Sequence, residues 1–231
     1  MIWQIPPIWQ DGECWIIGGG PSVPRVFDVP DDVIQQVLQK QLPVSAYSPY
    51  LFRIHDRHVI AVNMAFRLGT WVDLVWFGDS GFYRKNRKEL LEFPKPKIGC
   101  SARIQNYVEQ DNLKWVPKDK RKAYGITTRK NHISWNANSG SSAINLAYHL
   151  GCRRIILLGF DMNRIGTQQH WHSEYRASNR PLEDRKLPFS RHSKGFGDIA
   201  KDAKRLGVEI LNVSPISEIK ELQKVKLEDV L

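Results

Sequence analysis

Residues able to do chemistry stand at the ends of short apolar runs. Residues 14–17 (CWII) lead into Gly18, Gly19, Gly20, Pro21 and Ser22, and residues 58–62 (HVIAV) end at Asn63. Residues 72–77 (VDLVWF) end at Gly78, Asp79 and Ser80, and residues 154–158 (RIILL) at Gly159, Phe160 and Asp161. Glycine lets backbone N–H groups come close to an anion, so the triglycine turn reads as a seat for a phosphate. It is not a dinucleotide fingerprint, because the last glycine of G-x-G-x-x-G falls on Val23, and no G-x-x-x-x-G-K-[ST] occurs. Asn63 offers a donor and an acceptor to a base or sugar edge, while Asp79 can accept from ribose hydroxyls or hold a metal. Taken singly, Asn, Asp and Ser favour strand ends and turns for local reasons. Parallel strands would bring them to one edge, and that convergence points to a site.

Residues 138–142 (NSGSS) open a helix, with Ser141 and Ser142 as candidate phosphate ligands. Small hydroxyl residues cap helices, and the free N–H groups and dipole of the same turn attract anions. His170 and His172 stand two apart with no H-E-x-x-H and no third ligand at a telling spacing, so no metal site is expected. With Trp171 and Tyr175 they read as a polar, aromatic substrate wall. His192, in the run RHSK before a helix, is the candidate general base, since an imidazole titrates near neutral pH. His55, His58 and His149 read as solvated surface groups.

These residues need a scaffold. Continuous apolar runs rich in Ile and Val read as strands buried on both faces of a parallel sheet. Residues 139–150 and 198–206 are helical, each stopped by a glycine, Gly151 and Gly207. The alternation predicts a doubly wound, mostly parallel α/β fold, and one nucleotide-binding domain over residues 1–231. Residues 163–194 lack periodicity and read as a lid over the strand ends. Residues 82–130 show two weak strands, 97–100 and 113–116, and the tail from 217 reads as a peripheral helix.

Composition narrows the class. Lys and Arg total 34 against 24 acids, a net charge of +10, which favours anionic partners: nucleotides, phosphosugars, nucleic acid or acidic membranes. The cationic clusters 84–88 and 118–122 read first as solvated faces. The three cysteines lie far apart with no C-x-x-C, which excludes a disulfide framework and a cysteine zinc site and suits a reducing cytosol. No signal peptide is read at the N-terminus, and no apolar run nears the roughly 20 residues of a membrane span. A cytoplasmic protein is expected.

Read in order, residues 16–22, 59–63, 138–162, 191–199 and 212–215 resemble a superfamily of bacterial transferases. It includes sialyltransferases of the Campylobacter lipooligosaccharide type and the 6-hydroxymethylpterin pyrophosphokinase-like family. The resemblance covers about half the chain, and the block 138–162 is its most specific part. It implies a Rossmann-like sheet of the GT-A-variant type. It further implies that Gly18 to Ser22, Asn63, and Ser141 with Ser142 bind the nucleotide, and that His192 is the general base. The chain has Gly19 where the sialyltransferases place Asn, which leaves the base open. Their lid tyrosines, which stabilise the leaving phosphate, correspond loosely to Trp171, His172 and Tyr175 here; a lid cation such as Arg176 or Arg180 would offset the same charge.

The leading expectation is therefore a glycosyltransferase moving a sugar from a nucleotide-activated donor to an acceptor hydroxyl. Asp79, Ser80 and Asp161 complete the donor rim, and no cofactor is required. The acceptor is a glycan or another polyanion such as DNA, and a homo-oligomer stays open. The alternatives are an ATP- and Mg²⁺-dependent diphosphotransferase of the pyrophosphokinase-like branch, or a non-catalytic basic module that binds nucleic acid.

Overall fold

The computed structural model describes residues 1–175 and 188–231. Eight strands form one sheet in which every pairing is parallel: β1 (Glu13–Ile17), β2 (Val59–Val62), β3 (Leu74–Phe77), β4 (Lys97–Gly99), β5 (Lys114–Trp115), β6 (Arg154–Leu158), β7 (Glu209–Asn212) and β8 (Gln223–Lys224). Their spatial order is β5-β4-β3-β2-β1-β6-β7-β8. The chain thus winds outward from β1 in one direction through β5, then returns to the other side of β1 and winds outward again. The reversal lies between β1 and β6, the place where open α/β sheets leave a crevice for ligands. Ile17 pairs with Ala61 on one side and Leu158 on the other, so Gly18, Val62 and Gly159 finish level with one another.

Both faces of the sheet are covered, which is why the strands read as unbroken apolar runs. Trp15, Ile17, Ala61, Val75, Phe77 and Ile156 face one core, and Cys14, Ile16, Ile60, Trp76, Ile155 and Leu157 face the other. Each large aliphatic or aromatic side chain among them, fully buried, contributes about 1.5–3 kcal/mol relative to exposure. The first core is closed by α1 (Val23–Val26), α2 (Asp31–Leu38), α3 (Ser80–Glu92) and the 3₁₀ turns Val44–Ile54 and Asn63–Leu68. The second is closed by α4 (Ser139–His149) and α6 (Phe196–Leu206), the latter entered through the short α5 (Phe189–His192). Gly207 ends α6 in the left-handed region, φ 65°, where a side chain would be strained.

Three expectations need correction. The tail from 217 is not a helix: β8 pairs parallel with β7, and a 3₁₀ turn (Leu227–Asp229) follows. Val225 donates its N–H to Asn212 O at 3.1 Å, so the tail satisfies the open edge of β7, while Leu222, Leu227 and Val230 are buried beneath it. His149, the last residue of α4, is half-buried rather than solvated, and burial lowers its pKa to about 4. Within 163–175, the first of the two described stretches of the expected lid, Trp171 is fully buried, donates Nε1–H to Gly18 O at 2.7 Å, and accepts the Tyr47 hydroxyl at its carbonyl at 3.2 Å. This stretch is fastened to the body, so Trp171 belongs to the core rather than to a substrate wall. Arg176 and Arg180 lie outside the described residues. Among the described residues no helix is long and apolar enough to cross a membrane.

Candidate functional site

A cavity of about 350 Å³ opens at the β1–β6 reversal. Its floor is the glycine turn after β1 set against Gly159–Met162 after β6. Gly20 donates its N–H to Gly159 O at 2.9 Å, and a Cβ at position 20 would lie 2.5 Å from the Asp161 carboxylate and 2.6 Å from Gly159 O. At Gly18 a Cβ would stand 2.9 Å from the same carbonyl. Two of the three glycines are therefore demanded by close approach of the protein's own backbone. Gly19 borders the cavity, and a Cβ there would sit 3.2 Å from His170 Nδ1.

The Asp161 carboxylate is committed to the fold. Oδ2 accepts the Ser22 N–H at 2.8 Å, and Oδ1 accepts the hydroxyls of Ser22, at 2.6 Å, and Ser214. Burial raises its pKa, and the bonds from Ser214 and Ser22 oppose that rise. Ser22 and Pro21 are buried away from the cavity. The clamp ties the ends of β1, β6 and β7 together and presents the glycine turn, while Ser22 and the Asp161 side chain themselves are spent.

One wall comes from β2 and β3. Asn63 borders the cavity in the left-handed region, φ 51°, a conformation its short polar side chain tolerates. Its Oδ1 is buried with no hydrogen-bond partner among the described residues. Asp79 also borders the cavity, but its Oδ1 accepts the Phe82 N–H at 2.8 Å and caps α3, and Ser80 is buried in the first turn of that helix. Tyr175 is 39% exposed, yet enclosure of its hydroxyl end pushes its pKa up to about 12, against the neighbouring Asn63 side chain, which lowers it.

The opposite wall is the start of α4. Asn138 caps it by accepting the Ser141 N–H at 2.8 Å, and Asn138, Ser139 and Gly140 line the cavity. Ser141 and Ser142 do not. Both are fully buried: Ser141 Oγ donates to Asn136 O at 3.2 Å, and Ser142 Oγ donates to Ser139 O at 2.9 Å while accepting the Trp76 indole N–H at 3.0 Å. At 100° per residue, the helix that opens positions 139 and 140 to the cavity turns 141 and 142 inward. What faces the cavity is the backbone end of α4, with Asn138 as the neighbouring side chain.

Three histidines close the site. His170 and His172 are stacked, ring planes 6° apart and centroids 5.4 Å, with Tyr175 edge-on to each at 4.8 Å. Burial lowers the pKa of His170, and burial with His170, Arg67 and Lys85 nearby lowers His172 to about 3. His192 lies across the cavity at the end of α5; burial, Arg191 and His170 bring it to about 4. All three are neutral at pH 7.

The structure thus gathers Gly18, Gly19, Gly20, Asn63, Asp79, Asp161, His172, Tyr175 and His192 around one cavity and leaves Pro21, Ser22, Ser80, Ser141 and Ser142 outside it. Sequence reasoning missed Asn138 and Arg191 as cavity-lining residues; Asn138 was legible as the cap of the NSGSS turn. The cations of the two basic clusters are partly spent elsewhere. Arg87 pairs with Asp111, Lys122 with Asp202, Lys85 donates to Glu174 O, and Lys118 lies 3.6 Å above the Trp135 ring. Among the described residues no carboxylate cluster is set out for Mg²⁺. Asp161 accepts three protein hydrogen bonds, Asp79 Oδ1 caps a helix, and no group of three His, Cys, Asp or Glu side chains converges among the described residues.

The protein is a doubly wound, Rossmann-like α/β protein with its cavity at the topological switch point. Neither a protein-family model nor a curated protein matches the sequence. Solved structures match the fold: the sialyltransferase CstII from Campylobacter jejuni, bound to cytidine-5'-monophosphate or to CMP-3FNeuAc, superposes with TM-scores of 0.48 and 0.50. Identity is 15% in both, over 93% of this chain and 84% and 86% of theirs.

Proposed function

We propose that this protein is a glycosyltransferase that takes a nucleotide-activated sugar at the β1–β6 cavity and transfers the sugar to an acceptor hydroxyl. The observation that carries the reading is the Asn63 Oδ1, buried and unpartnered among the described residues, beside a cavity that also receives the N-terminal end of α4. An orphaned buried acceptor costs about 1–3 kcal/mol, and a ligand amino or hydroxyl group would satisfy it. The helix end suits a phosphate. CstII, whose fold this chain shares, is seen with CMP-3FNeuAc, which supports a nucleotide sugar as the ligand class.

In the transfer an imidazole takes the acceptor's proton as its oxygen attacks the anomeric carbon, and the bond to the departing phosphate breaks. The family resemblance assigns that imidazole to His192. The end of α4, the Tyr175 hydroxyl and the Arg191 guanidinium offset the charge on the leaving nucleotide. A thermal-shift panel of CMP, UDP, GDP, ATP and their sugar conjugates tests the reading. A bound ligand at about 100 times its Kd stabilises the fold by roughly 2.7 kcal/mol. Asn63→Ala should abolish that rise. If no nucleotide or nucleotide sugar raises the melting temperature, the reading fails; a rise with ATP that requires Mg²⁺ would favour the diphosphotransferase.

A further inference from the structure

We propose that the proton acceptor of this transfer is His170 rather than His192, with His172 held beside it in the opposite tautomer. The proposal rests on the transferase reading and names the base within it.

The geometry starts from Trp171. Its ring is buried in the core and its Nε1–H is held by Gly18 O, so its two neighbours in sequence emerge together at the cavity, their rings stacked. His170 Nδ1 lies 3.0 Å from Gly19 O. A carbonyl only accepts, so the proton is on Nδ1, and in the neutral ring the lone pair is on Nε2. His172 Nδ1 accepts the Glu174 N–H at 3.3 Å, which puts its proton on Nε2. The pair therefore offers one acceptor and one N–H donor. A backbone carbonyl that fixes the tautomer of a working imidazole is a recurring arrangement.

His192 is placed differently. Its Nε2 stands 3.1 Å from the Arg191 guanidinium, which can only donate. That contact occupies the lone pair a base would use and sets a positive charge beside the ring. The charged and titratable groups facing the pair from the other elements are Arg191 and His192 on α5 and Asp79 at the start of α3, with Tyr175 on its own segment; Arg67 and Lys85 act on His172. Gly19 completes the match, since a Cβ at that position would crowd His170 Nδ1 at 3.2 Å. Here glycine and histidine together stand where the resembling enzymes carry an asparagine.

In the reaction the acceptor O–H proton passes to His170 Nε2 while the new C–O bond forms and the anomeric carbon–phosphate oxygen bond breaks, its electron pair leaving with the nucleotide. The imidazolium keeps its Nδ1–H on Gly19 O and later releases the Nε2 proton to water.

Two measurements decide it. Nitrogen NMR of the full chain labelled with ¹⁵N-histidine should show His170 as the Nδ1–H tautomer and His172 as the Nε2–H tautomer between pH 6 and 8; an Nε2–H His170 overturns the proposal. Hydrolysis and transfer are then followed with CMP-, UDP- and GDP-activated sugars as probes, with melting shifts in the matching nucleoside monophosphates as the binding readout. His170→Gln keeps a donor for Gly19 O but cannot take a proton. It should retain the melting shift and lose about 10²–10⁴-fold in rate, more than His192→Gln does. The reverse order, with binding intact, sinks the assignment of the base and leaves the transferase reading standing. A parent protein that neither binds nor turns over any of these probes sinks both.

Discussion

Asp161→Ala is the sharpest probe of how the site is built. The carboxylate accepts from the Ser22 N–H, the Ser22 hydroxyl and the Ser214 hydroxyl, all buried. Its removal orphans the Ser22 N–H, at a cost of about 1–3 kcal/mol, while each hydroxyl can rotate toward another acceptor and loses roughly 0.5–1.5 kcal/mol. The buried charge is itself unfavourable, as its raised pKa indicates, and its loss offsets part of this. A net loss of roughly 2–5 kcal/mol is expected, large against a total stability of about 5–15 kcal/mol. For a chain of this length that lowers the melting temperature by roughly 4–20 °C. Asp161→Asn should cost only about 1–2 kcal/mol, because the amide oxygen can stay on the Ser22 N–H while its NH₂ donates to two hydroxyls that turn to accept. Circular dichroism melts and urea titrations at pH 7 give both values. An Ala variant that loses under about 1 kcal/mol, or an Asn variant as damaged as Ala, would refute the clamp.

The remaining predictions concern the histidines and Trp171. His172 and His149, with pKa values of about 3 and about 4 in the fold against an ordinary 6.5, refuse protons that the unfolded chain accepts. Their stabilisation is complete above pH 6.5 and is lost as pH falls toward those values. At pH 5 each removes about 2 kcal/mol, and an unchanged urea midpoint between pH 7.5 and pH 5 would contradict this. Trp171→Phe deletes the donor to Gly18 O and should cost roughly 1–3 kcal/mol in urea unfolding. It should also speed hydrogen exchange at residues 18–20; protection equal to that of the parent would show that the indole does not hold the turn.

Much of the fold was legible because each local signal had one meaning. Unbroken Ile- and Val-rich runs marked β1, β2, β3, β6 and β7, and Gly207 marked the end of α6. Even the weak runs 97–100 and 113–116 became β4 and β5. Four helices stayed hidden: α1 and α5 span only four residues each, and α2 and α3 carry weak apolar stripes. In α3, Phe82, Tyr83 and Leu90 are buried in a helix of 13 residues dense in charge, so the apolar stripe is faint. In α2, only Ile34 and Val37 are buried, too few to set a period. β8 has exposed residues and exists because β7 offered an open edge.

For the site, residue types alone determined which groups stand at strand ends and which could donate, accept or titrate: Asn63, Asp79, the glycines and the histidines. Tertiary structure decided which of those groups are free. Ser22 and Asp161 satisfy each other across 139 residues, α4's rotation turns two serines into the core, and a buried indole places two imidazoles at the cavity. A sequence lists hydrogen-bonding capacity; only the folded chain fixes where each donor and acceptor points, and a buried polar group that has met a partner inside the protein is no longer available to a ligand.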